Sequence, residues 1–172
     1  NPLPIARALL LVELAKRLPF IDSRVIDAVA DRLREMTPLD PFVTTDHPVV
    51  VHGDASLTNV LWHQSRLVAL LDFAWARWGP PDLELPPLLG CMEERVTGLD
   101  SSHAPHRSSA ITWLEEDYPD LFGHPDLVSR LWLYELASGL RSVINWPPRS
   151  PEDAQRPDRA LGRLRRAVQG PA

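Results

Sequence analysis

The stretch Val49–Trp62, VVVHGDASLTNVLW, decides how the chain is read. Three β-branched residues run straight into His52-Gly53-Asp54, and Asn59 follows before a second apolar run. β-Branched residues favour a short buried strand at Val49–Val51. Gly53 is the least restricted residue sterically and suits a sharp turn. Asp54 is then presented at a strand end, where loop residues commonly carry function. Asn59–Trp62 and Leu67–Leu71 read as a second and a third strand, joined by a turn at His63–Arg66. Asp72 closes the third strand, LVALLDF. Two carboxylates and one amide oxygen are thus expected to converge at one end of a small sheet.

Carboxylate and amide oxygens are hard donors, suited to Mg²⁺ rather than to zinc or copper. Mg²⁺ commonly takes only one or two carboxylates and completes its shell with phosphates and water. One carboxylate is then left to orient a nucleophile. That division matches phosphoryl transfer, in which one Asp serves the substrate hydroxyl while an Asn and a second Asp serve the metal. Protein kinases space their catalytic Asp and Asn as Asp54 and Asn59 are spaced, and follow them with an Asp-Phe pair, here Asp72-Phe73. The departures are Gly53 in place of the kinase Arg and Ala74 in place of the Gly after Asp-Phe.

With those departures, HGDASLTNVLW followed by LLDFAWARWGPPDLEL resembles the aminoglycoside phosphotransferase family of kinase-like small-molecule phosphotransferases. The likeness runs from Val49 to about Leu85 in order and spacing. It implies a catalytic Asp54, and Asn59 and Asp72 holding Mg²⁺ on the phosphates of ATP or GTP. It implies that His52 supports the loop and that Asp82 is a structural aspartate. The residues themselves also allow Asp82 to be a helix N-cap. The fold implied is α+β and mostly helical, a single kinase-like C-terminal lobe over 1–172. Leading helices would occupy 1–48, the catalytic and metal-binding core 49–85, and further helices 86–172.

A kinase-like transferase covers its phosphates with a glycine-rich loop and grips them with a strand lysine. The chain's 8 glycines form no G-x-G pair, and Lys16, its only lysine, sits in a helical pattern before the loop. The expectation is that the N-terminal lobe is absent and that the chain is inactive alone. Its partners would be that missing lobe and a small-molecule hydroxyl acceptor. The alternative is a non-catalytic stand-alone lobe serving as a binding or scaffold module.

The flanks read as helices. Pro4–Leu18 is densely apolar, and Asp22 or Ser23 can cap a helix whose apolar positions are Val25, Ile26, Val29, Ala30 and Leu33. Thr37–Pro48 reads as a connection. Arg107–Tyr118 and Asp126–Trp146 read as helices, and a short basic helix ends the chain after the proline-rich Pro147–Pro157. Trp75 and Trp78 are expected to pack the sheet, and Trp132 and Tyr134 to lie on a core helix.

The 172 residues suffice for one domain with a sizeable core. A net charge of -5 argues against a nucleic-acid partner. No apolar run is long enough to span a membrane. The lone Cys91 excludes an internal disulfide framework, so a reducing, cytoplasmic location is expected. His103 and His106 lack a clear third ligand for zinc. Acidic residues dominate from Cys91 to Glu135 and arginines from Leu136 onward. The acidic stretch is open to two readings, solvated helix faces or a surface that draws in a cationic acceptor.

Overall fold

A computed structural model describes residues 4–44, 48–86, 88 and 112–170 of the chain. It is mostly helical with a few short antiparallel strands, an α+β arrangement. Two compact units result: one takes the described residues of Asn1–Thr44 and Val128–Ala172, the other those of Thr45–Leu127.

The first unit is helical. Helix α1, Ile5–Lys16, buries Ile5, Ala8, Val12 and Ala15, one stripe at helical spacing. Its first turn is held by Asp40, whose Oδ2 accepts the Ile5 N–H at 2.9 Å. Helix α2, Ser23–Glu35, starts where the Asp22 side chain accepts the Arg24 N–H, and its buried stripe is Val25, Ile26, Val29, Ala30 and Leu33. The long helix Leu127–Asn145 buries Leu133, Tyr134, Leu136, Ala137, Leu140 and Val143. The terminal helix Ala160–Ala167 adds Leu161 and Leu164 to the same core.

Side chains tie these pieces together. Half-buried Trp132 donates its Nε1–H to the Ala167 carbonyl at 2.6 Å, satisfying a group that a helix end leaves open. The connection 147–157, read from sequence only as proline-rich, contains a helical turn, Pro151–Gln155, capped by Ser150. The arginines of the C-terminal stretch are largely engaged here. Arg156 pairs with Asp158 and Arg159 with Asp153. Arg163, Arg165 and Arg166 donate to the Asp158, Ala154 and Pro157 carbonyls. They brace the approach to the last helix.

The second unit holds the strands. β1, Val49–Val51, pairs antiparallel with β4, Arg77–Gly79, placing Val49 opposite Gly79 and Val51 opposite Arg77. β2, Val60–His63, pairs antiparallel with β3, Arg66–Leu70, through a two-residue turn. Gln64 and Ser65 both carry positive φ in that turn, as a hairpin matched to strand twist requires. The expected single small sheet is therefore corrected to two separate two-stranded ladders. The strands are also less buried than expected. Val51 is 1% exposed, but Val50 is 60% and Trp62 is 55% exposed. Trp78, expected to pack the sheet, is 70% exposed. A two-stranded ladder has no second layer of its own, so outward positions stay open to solvent.

Among the described residues no helix is long and apolar enough to cross a membrane.

Candidate active site

The site begins where β1 ends. His52, 6% exposed, sits between two backbone groups. Its Nε2 lies 2.8 Å from the Leu71 carbonyl, and its Nδ1 accepts the Asp54 N–H at 3.3 Å. A carbonyl can only accept, so Nε2 carries the proton and Nδ1 does not. Both ring nitrogens are thereby engaged with backbone, which suits a structural ring rather than a proton carrier. The ring also meets Phe73 edge-on, with centroids 4.7 Å apart.

Gly53 takes φ +78. A Cβ there would lie 2.7 Å from the Trp75 carbonyl oxygen, so both the conformation and the close approach demand glycine.

Asp54, half-buried, follows directly. Its carbonyl accepts the Ser56 N–H at 2.7 Å and Asn59 Nδ2 at 2.9 Å. The same Nδ2 reaches the Asp54 Oδ2 at 3.1 Å. Both partners of that amide end are acceptors, so nitrogen must face them and Asn59 Oδ1 is turned away. The spacing between Asp54 and Asn59 has a local cause. A 3₁₀ turn, Leu57–Asn59, folds the chain back and brings Asn59 against Asp54. Asn59 stands at the end of that turn rather than in the expected strand, which begins at Val60.

Asp72 is placed by the neighbouring segment. Leu71 N–H donates to the Asn59 carbonyl at 2.8 Å, and the Leu71 carbonyl contacts His52. The segment entering Asp72 is thus bonded to both ends of the loop that carries Asp54. Asp72 itself is exposed and adopts the left-handed conformation, φ 59 and ψ 70. Its Oδ1 accepts the Ala74 N–H at 3.3 Å. Non-glycine residues in this region carry strain, and such residues gather at functional sites. An Asp tolerates it better than most because its side chain can bond locally, as here.

Asp82 is 3% exposed. The N-cap role read for it is corrected. The short 3₁₀ helix Pro81–Glu84 has Pro80 as its N-cap, and Asp82 lies inside its first turn. Pro81 sets the start because its fixed φ suits the first helical position.

Sequence reasoning missed Glu84. Its Oε1 accepts the Gly53 N–H at 2.9 Å across 31 positions of chain. The available signal was an acid inside the otherwise apolar LELPPLL.

Of the acidic residues expected beyond the core, Glu115, Glu116, Asp117 and Asp120 are exposed. Glu93, Glu94, Asp100, Cys91, His103 and His106 lie outside the described residues. Among the described residues no group of three or more His, Cys, Asp or Glu side chains is arranged to hold a metal. A thiolate or imidazole metal centre is not assembled there. The donors available at the loop are the Asn59 amide oxygen and the Asp72 carboxylate. These are hard oxygens in the small number that Mg²⁺ takes from protein when phosphates supply the rest.

The structure thus holds one acid against an amide at a strand-to-turn junction and brings in a second acid on a segment bonded to the same loop. The model of the phosphotransferase enzyme family (APH) matches residues 3–97, and the chain belongs to that family. Comparison of this chain with the curated proteins and with the solved structures found no match.

Proposed function

We propose that the chain is the catalytic part of a kinase-like phosphotransferase of the aminoglycoside phosphotransferase type. It moves the γ-phosphoryl group of ATP or GTP to a hydroxyl of a small molecule. The observation that carries this reading is the double hydrogen bond from Asn59 Nδ2 to the Asp54 carbonyl and carboxylate. It holds Asp54 in one orientation and turns Asn59 Oδ1 outward.

Asp54 Oδ1 is then the atom that accepts a hydrogen bond from the acceptor hydroxyl. As the new O–P bond forms and the bond to the nucleoside diphosphate breaks, the hydroxyl proton passes to that carboxylate. Asn59 Oδ1 and Asp72 are the groups that would hold Mg²⁺, which supplies charge neutralisation at the phosphates. His52 keeps the loop in register through its two backbone contacts. The sequence offers no G-x-G pair to cover phosphate, and Lys16 is paired with Asp27 and Glu13 on helical surfaces. Residues 1–172 alone are therefore proposed to be inactive and to need a further nucleotide grip, an N-terminal lobe, because positioning and electrostatics do most of the work in this reaction.

The test is kinetic, in a protein that carries this chain and turns over. Asp54→Ala should lower kcat by about 10²–10⁴-fold, the range for a positioned base, with little change in nucleotide KM. Asp72→Ala should instead weaken use of the Mg²⁺-nucleotide. Turnover at the wild-type rate in Asp54→Ala removes Asp54 from the mechanism. Robust ATP-dependent transfer by isolated residues 1–172 refutes the need for a further grip.

A further inference from the structure

We propose that Glu84 is a positioning residue for Asp54, acting through the Gly53 amide. The proposal rests on the reading of Asp54 as the acceptor-side residue.

Two successive amides lead into Asp54, and each is fixed by a side chain. The Gly53 N–H goes to Glu84 Oε1 at 2.9 Å, and the Asp54 N–H goes to His52 Nδ1 at 3.3 Å. A Cβ at Gly53 would lie 2.7 Å from the Trp75 carbonyl oxygen, so main chain closes off that side of the turn. The turn is thus clamped on one side by main chain and on the other by a carboxylate. The clamp matters because glycine at φ +78 imposes no conformation of its own. Without an acceptor for its N–H, the His52–Gly53 peptide can rotate, and the turn that presents Asp54 shifts with it.

A purely structural role fits the other oxygen poorly. Glu84 Oε2 is buried with no hydrogen-bond partner. Leaving a buried acceptor unmet is destabilising, and an apolar side chain of the same length would avoid the cost. Packing of the Pro81–Glu84 turn therefore does not call for an oxygen acceptor; the Gly53 N–H does.

The experiment compares Glu84→Met, which keeps length and removes the acceptor, with Glu84→Gln, which keeps an amide oxygen. Amide exchange at Gly53 and the side-chain amide resonances of Asn59 are followed by NMR in the 172-residue chain. Kinetics are followed in the protein that turns over. The expected result for Glu84→Met is faster exchange at Gly53, shifted Asn59 resonances and a kcat lower by about 10²-fold, the scale of a misplaced reacting group, with nucleotide KM held. Glu84→Gln should recover most of each. Wild-type exchange and kcat in Glu84→Met overturn the proposal. If Glu84→Met does not fold, Glu84→Gln decides, since faster Gly53 exchange in that variant also overturns it. Loosened Gly53 in Glu84→Met together with wild-type turnover in Asp54→Ala would defeat the functional reading instead, and the Glu84–Gly53 bond would stand.

Discussion

The helical unit and the strand-bearing unit are built on different physical terms. In the helical unit, apolar stripes from α1, α2, the long helix and the terminal helix merge into one buried cluster. The strand-bearing unit buries Val51, Leu83 and Leu85 but leaves Leu61, Trp62, Val68, Phe73, Trp75 and Trp78 exposed. Its order comes from hydrogen bonds that converge on one loop, from His52, Glu84, Asn59 and Leu71. Close packing makes a rigid support, whereas a loop held by polar contacts can present unspent oxygens. Stability is not uniform across a protein, and functional loops are drawn from its less stable parts.

The sharpest way to break that comparison is a cavity in the helical core. Leu140→Ala, at a site 0% exposed, should cost about 2–5 kcal/mol of stability. Urea unfolding followed by far-UV circular dichroism reads it directly. A midpoint within error of wild type would mean that the helical cluster does not carry the unit's stability.

A smaller effect is expected at the loop. Gly53→Ala forces a side chain into positive φ and against the Trp75 carbonyl, at a cost of about 1–3 kcal/mol. It should raise amide exchange at Asp54 and Asn59 while the helical transition stays where it was. A helical transition displaced as far as in Leu140→Ala would show that the two regions do not differ in the way described.

The smallest effect belongs to a cap. Asp22→Ala removes the acceptor for the Arg24 N–H and should cost about 1 kcal/mol. The Asp22 carboxyl titrates below its ordinary value, chiefly through the hydrogen bond from the Arg24 side chain and also through the Arg24 backbone. A depressed carboxylate stabilises the fold above its unfolded pKa, about 3.9, and that contribution is lost as pH falls through the lower folded value. Wild type and Asp22→Ala should therefore differ at pH 7 and converge in stronger acid. The exposed pair with Arg24 is screened by salt and adds little. A difference that persists below both pKa values would point to packing rather than charge.

Legibility followed the range of the forces involved. The α2 stripe from Val25 to Leu33 was readable because helical spacing is local, and it is buried as expected. A cap at Asp22 or Ser23 was readable for the same reason, and Asp22 is the one that holds it. β4 was not, since Arg77-Trp78-Gly79 has no alternating pattern; it is a strand because it pairs with β1. The burial of β1–β3 was overestimated because apolar content records a preference, whereas burial needs a second layer to cover it. The cap read at Asp82 lies two positions earlier, at Pro80, because Pro81, not the aspartate, sets the start of the turn.

By itself, the sequence determined the longer helices, the hairpin and the loop that carries Asp54 and Asn59. These rest on interactions between near neighbours: apolar repeats, a glycine able to take positive φ, and an asparagine five places from the acid it binds. Tertiary structure alone decided that Glu84 takes the Gly53 amide, that His52 takes the Leu71 carbonyl, and that Asp72 enters on a segment bonded to Asn59. Those partners are remote in the chain. Their pairing follows from where the backbone leaves donors and acceptors unmet after folding, which no residue's own preference records.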